Sequence, residues 1–137
     1  MLKRIFTLSL LAAAFWPAGG DAQSIKNDIV VFAALDKVTA QISPLEIRVN
    51  KTAKFGALTI TPRACNTRPP TEQPSTAAFV EVEETQLDNT HKRIFSGWMF
   101  AESPGLHGVE HPVFDVWLTS CKTSAPPASS GSAWKPQ

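Results

Sequence analysis

Seven apolar residues from Ile29 to Leu35 run without a break and stop at Asp36 and Lys37. A run of this length suits a strand covered on both faces. Val38, Ala40 and Ile42 then alternate with Lys37, Thr39 and Gln41, and beyond Ser43-Pro44 the residues Leu45, Ile47 and Val49 alternate with Glu46, Arg48 and Asn50. Alternation on both sides of a Ser-Pro break predicts two short antiparallel strands. After a turn around Lys51 to Gly56, the residues Leu58, Ile60, Pro62 and Ala64 oppose Thr59, Thr61, Arg63 and Cys65. Pro62 has no backbone N–H, so this strand is predicted to lie at an edge or to break there.

Three further segments rich in β-branched and aromatic residues follow: Ala77 to Glu83, Arg93 to Phe100 and Val113 to Cys121. Polar, proline- or glycine-bearing stretches separate them, notably Asn66 to Ser75 and Glu102 to Pro112. The pattern predicts an all-β chain, a small antiparallel β-sandwich or barrel of about seven strands. No segment has the spacing of an amphipathic helix longer than a few turns.

The ends differ from this body. Lys3 and Arg4 precede an apolar run from Ile5 to Trp16, with Gly20 and Ala22 placed like a cleavage site. Residues 1–22 therefore read as a secretory signal peptide cleaved near Ala22, and the periplasm is the expected location. The run spans about a dozen residues where a helix needs roughly 20 to cross a bilayer, so no transmembrane segment is expected in the mature chain. Residues 23–122 form the predicted β domain. Residues 123–137, rich in Pro, Ser and Ala, are predicted to be a disordered tail in which Trp134 is solvated.

Export changes the meaning of Cys65 and Cys121, the two cysteines of the chain. In an oxidising compartment they are expected to pair. Closing a loop of about 57 residues stabilises a fold by about 4 kcal/mol in the chain-entropy account. The charge balance, 13 basic against 12 acidic residues, excludes the positive field that nucleic acid demands.

Three blocks carry a family resemblance: LDKVTAQISPLEIRV (Leu35 to Val49), FGALTITPRACNTRPPTEQPSTAAFVEV (Phe55 to Val82) and RIFSGWMFAESPGLHGVEHPVFDVWLTSCK (Arg93 to Lys122). Through them the chain resembles an exported alphaproteobacterial family catalogued as domain of unknown function twenty-one fifty-five. The resemblance implies an envelope location and brings no activity or catalytic residues.

His107, Glu110 and His111 fit the H-x-x-E-H pattern of inverted zinc peptidases. That chemistry needs both imidazoles on one helical turn. Pro104, Gly105, Gly108 and Pro112 leave no room for such a helix, so a structured loop is predicted, with these three as weak metal candidates. Glu81 and Glu83 share one strand face and read as a solvated pair rather than as an acid and base. No metal, cofactor or catalytic residue is therefore expected.

Two elements point to binding instead. The loop Arg68 to Pro74 carries Pro69 and Pro70, which lower the entropy lost on docking, and Arg63 and Arg68 add bidentate donors. Of the aromatic set Phe95, Trp98, Phe100, Phe114 and Trp117, at least one tryptophan is expected to be half covered, which makes Trp98 and Trp117 contact candidates. The expected function is a non-enzymatic cell-envelope interaction module whose partner is an envelope protein or a glycan. The alternatives are a glycan-binding domain using a tryptophan and a metal-dependent hydrolase using the His107, Glu110 and His111 loop.

Overall fold

The computed structural model describes residues 24–124. The signal segment 1–22 and the tail beyond its first two residues, Trp134 included, lie outside the described residues. The strands are β1 (Ile25–Lys26), β2 (Ile29–Asp36), β3 (Gln41–Arg48), β4 (Ala53–Phe55), β5 (Leu58–Thr67), β6 (Thr76–Thr85), β7 (His91–Phe100), β8 (Val109–Glu110) and β9 (Phe114–Lys122). They form a five-stranded sheet ordered β1-β5-β6-β7, with β4 also on β5, and a four-stranded sheet ordered β3-β2-β9-β8. Every pairing is antiparallel.

The predicted all-β sandwich is the fold, and the barrel alternative does not form because the two sheets stay separate. Val30, Phe32, Ala34, Ile47, Val116 and Leu118 of one sheet pack against Leu58, Ile60, Ala78, Val80, Val82 and Met99 of the other, all at most 3% exposed. Among the described residues no polar or charged side chain is buried.

Two expectations need correction. The break between the second and third strands falls at Lys37–Ala40, not at Ser43-Pro44. The Asp36 carboxylate accepts the N–H groups of Val38 (2.9 Å) and Thr39 (3.3 Å), and Ala40 turns at φ 57°. Pro44 sits inside β3, where it is tolerated because β3 is an edge strand and an outward-facing position needs no donor. Nor is β2 covered on both faces: Val30, Phe32 and Ala34 are buried, while Ile29, Val31, Ala33 and Leu35 are half-buried on the outer face.

Pro62 marks a break rather than an edge. The β5–β6 register slips between Pro62 and Ala64, leaving Arg63 as an extra residue. The Pro62 carbonyl accepts the Asn50 N–H at 2.7 Å in the gap between β4 and β1. Such a bulge flips side-chain parity, so Cys65, which strict alternation places with Arg63, turns inward and is 1% exposed. A second slip, opposite Val31 and Phe32, inserts Thr119 between Leu118 and Ser120 and turns Cys121 toward the core. The two cysteines meet as a disulfide with Cα atoms 5.9 Å apart, joining β5 of one sheet to β9 of the other. A third slip leaves Ile94 as the extra residue in β7.

The segment between β1 and β2 is clasped to the residues that follow β9. Asn27 Oδ1 accepts the Thr123 hydroxyl at 2.9 Å, and the Asp28 carboxylate accepts both the hydroxyl and the N–H of Ser124. Thr123 and Ser124, assigned to the tail from sequence, are thus bonded to the β domain. The Ser124 hydroxyl, then its N–H, hold the Asp28 carboxyl below its ordinary value of 3.8. A lowered folded pKa contributes stability that is complete above the unfolded value and is lost as pH falls through the folded one. Melting followed against pH should therefore show an acid-dependent loss below about pH 4 that Asp28→Asn reduces. Identical acid profiles for the two proteins would contradict this.

Candidate functional site

Alternation along β6 turns Ala78, Val80 and Val82 inward and sends Ala77, Phe79, Glu81 and Glu83 outward. Register then builds rows across the outer face of the five-stranded sheet. Ala64, Phe79 and Trp98 form one row, and Asn66, Ala77 and Phe100 form the next. Trp98 is 41% and Phe100 37% exposed. Phe79 props Trp98 edge-on, with ring centroids 5.5 Å apart, and His107 meets Phe100 the same way at 5.7 Å. Phe100 also forms part of a cleft of about 350 Å³, which it lines together with Arg68, Gln73, Pro74, Ser75, Glu102 and Ser103.

The cleft exists because β6 begins and β7 ends at the same end of the sheet, where the Arg68–Ser75 connection closes over them. Arg68 N–H donates to the Ser75 carbonyl at 3.2 Å, and Glu72 N–H donates to the Pro69 carbonyl at 3.0 Å, so Pro69 and Pro70 form the turn that shapes the loop. The Arg68 guanidinium lies 3.8 Å from Glu72, a loose exposed pair. Glu102 accepts the Thr76 N–H at 2.8 Å and fixes the opposite wall.

Arg63 is committed elsewhere. Its Nε donates to Glu81 at 3.2 Å and its Nη1 to Asn50 at 3.3 Å. Arg93 lies 3.6 Å from Glu81 and 3.4 Å from Glu83. These ions form an exposed, self-neutralising network on the strip of sheet next to Trp98. The Glu81 and Glu83 side chains do share one face, as solvated partners of arginine.

Trp117 belongs to the other side of the molecule. It pairs with Ala33 on the outer face of the four-stranded sheet and lines a separate cleft of about 410 Å³ with Pro104, Gly105, Gly108, Glu110 and neighbouring residues. Trp98 and Trp117 therefore cannot contribute to one contact.

Nor do His107, Glu110 and His111 converge. The His107 ring lies against Phe100, Glu110 is an exposed residue of β8, and His111 stacks on Phe114 with centroids 5.5 Å apart. One His111 nitrogen, Nε2, is 2.8 Å from Glu84, and the other, Nδ1, accepts the Val113 N–H at 3.1 Å. A strand rather than a helix holds Val109 and Glu110, so the one-turn spacing that would aim both imidazoles at one ion is absent. No group of three His, Cys, Asp or Glu side chains suited to a metal occurs among the described residues.

What the structure assembles is thus an aromatic platform of Phe79, Trp98 and Phe100 beside a polar cleft. Of the expected contact residues it keeps Arg68, Pro69, Pro70 and Trp98 and separates Arg63 and Trp117. Phe79 escaped sequence reasoning although a signal exists: it shares parity with Glu81 and Glu83, which marks it as outward.

Among proteins of known sequence, an uncharacterized protein of Rickettsia prowazekii (strain Madrid E) is 24% identical over 88 residues, covering 64% of this chain and 57% of that protein. The chain thus aligns with little more than half of that relative's length. No solved structure matches the chain. The profile of a family described as an uncharacterized protein conserved in bacteria, DUF2155, matches residues 30–121. That span runs from the first core residue of β2 to the second half of the disulfide, and the chain is a member of the DUF2155 family.

Proposed function

We propose that the protein is an exported, non-enzymatic binding module of the bacterial cell envelope that meets its partner with the outer face of the five-stranded sheet. The observation that carries the reading is the outward placement of Trp98 and Phe100, 41% and 37% exposed, beside a preformed cleft. Large aromatic side chains left on a rigid sheet face and rimmed by polar groups are the usual anchor of a contact surface. Export rests on the N-terminal sequence, and a disulfide between the sheets is in keeping with an oxidising compartment.

The test is retention on purified cell envelopes by sedimentation. Wild-type protein should co-sediment, and a Trp98→Ala/Phe100→Ala variant with an unchanged melting temperature should be retained about tenfold less, as expected for loss of anchor side chains. A variant that sediments like wild type, or a wild type that stays in the supernatant, would remove the reading. Stoichiometric zinc in purified protein, lost on His107→Ala and His111→Ala, would favour a metal-dependent hydrolase in its place.

A further inference from the structure

The rim of the platform carries information about what rests on it. In the cleft beside Phe100, Arg68 supplies donors, Glu102 keeps a free acceptor oxygen beyond its bond to Thr76, and Gln73, Ser75 and Ser103 each donate and accept. Arg68 is offset by Glu102 and by Glu72, 3.8 Å from its guanidinium, so the cleft has no excess of positive charge to hold an anionic ligand. Such a mixed set of donors and acceptors suits a ligand whose groups both donate and accept.

Size points the same way. Covering the exposed parts of Trp98 and Phe100 buries about 200 Å² of aromatic surface, against roughly 800 Å² per partner in a stable protein interface. The next strip of the face is the Arg63, Glu81, Arg93 and Glu83 network, whose members already neutralise one another. A peptide adding to the free edge of β7 meets the Ile94 bulge, which interrupts the ladder.

We infer that the ligand of this face is a neutral pyranose glycan of the envelope, an inference that rests on the binding reading above. A pyranose has an apolar C–H face that packs on an aromatic ring and a rim of hydroxyls that both donate and accept. Trp98 and Phe100, two residues apart on the same face of β7, offer consecutive rings along a chain of such sugars, and the cleft takes the hydroxyls of the unit over Phe100.

Calorimetric titration with cellohexaose, chitohexaose and maltohexaose, and with trigalacturonate as an acidic comparison, tests this. At least one neutral hexasaccharide should bind with a Kd between about 10 µM and 1 mM. Trp98→Ala and Phe100→Ala should each weaken it by about tenfold or more, Trp98→Phe, which keeps a ring, by less than about threefold, and Trp117→Phe not at all. Trigalacturonate that binds as tightly as the best neutral sugar would overturn the neutral class. Envelope retention of the wild type without binding of any neutral sugar would overturn the glycan assignment while the binding reading stands, pointing to a protein partner. Loss of both would remove both.

Discussion

Replacing Cys65 and Cys121 together by alanine is expected to lower the unfolding free energy by about 4 kcal/mol, the entropy released when a loop of this length is no longer closed. The size of the effect follows from where the bridge lies. It ties β5 to β9, strands in different sheets 56 residues apart in sequence, so without it the unfolded chain gains the full freedom of that segment. Against a typical total of roughly 5–15 kcal/mol, the loss should bring the protein near the threshold of folding at 37 °C. Urea unfolding of the double variant, and of wild type with and without reductant, measures it. A shift under about 1 kcal/mol would mean that the bridge adds little beyond the packing around it.

Gly56→Ala should cost about 3 kcal/mol although it adds one methyl group. Gly56 opens the two-residue turn between β4 and β5 with φ at +57°, a conformation that costs a residue with a Cβ about 1–2 kcal/mol. A Cβ there would also stand 2.2 Å from Cζ of Phe114, so the ring must move, and overpacking adds about 1–3 kcal/mol. Phe114 has little room to yield. Its ring meets Phe55 edge-on at 5.4 Å and stacks on His111, which in turn holds Glu84 of β6.

A double-mutant cycle separates the two causes. Phe114→Ala alone leaves a hole, and in that background Gly56→Ala should cost only the backbone part, so the two losses sum to more than the double variant shows. Strict additivity would mean that the ring does not press on Gly56.

The strands whose alternation reaches the core were legible from side-chain pattern alone. Val80, Val82, Val116 and Leu118 stand where the period of two puts them, whereas Ile29 to Leu35, apolar throughout, carries no alternation to tell Val30 and Phe32 from their half-buried neighbours. The bulges were not, because one inserted residue changes no local propensity and only the register with a neighbour reveals it. A trace remains in the spacing: each cysteine falls three residues, not two, after the preceding inward position, Pro62 for Cys65 and Leu118 for Cys121. The two-residue strands β1 and β8 and the three-residue β4 are too short for any periodic signal and form because β5 and β9 offer open edges. Lys37 to Ala40 alternates like a strand, yet one aspartate side chain outweighs the pattern by capping a turn.

The candidate site divides along the same line. A single strand shows that Trp98 and Phe100 share a face, and the proline-rich loop is visible in composition. That the loop, Phe100 and Glu102 surround one cleft depends on three strands ending at one edge of the sheet, a long-range fact. The separation of Trp98 from Trp117 likewise follows from the assignment of β7 and β9 to different sheets. The H-x-x-E-H side chains stand apart for the opposite reason, since local structure alone, a strand in place of a helix, already separates them.

The pairing of β2 with β9 and the disulfide next to it determine how the domain bears tension. The chain enters β2 and leaves β9 at the same end, so force applied through both ends, once the β1–β5 pair and the bonds of Asn27 and Asp28 to Thr123 and Ser124 have parted, opens the Ile29–Lys122 pair and would unzip the two strands pair by pair. The second pair is Val30–Cys121, and Cys121 is fastened to Cys65 in the opposite sheet. Pulling on the C-terminal side therefore stops at that residue and passes through the sulfur bond into β5. In single-molecule stretching, the oxidised protein should release a shorter contour length than the reduced one, and the segment between the two cysteines should stay out of the extended chain.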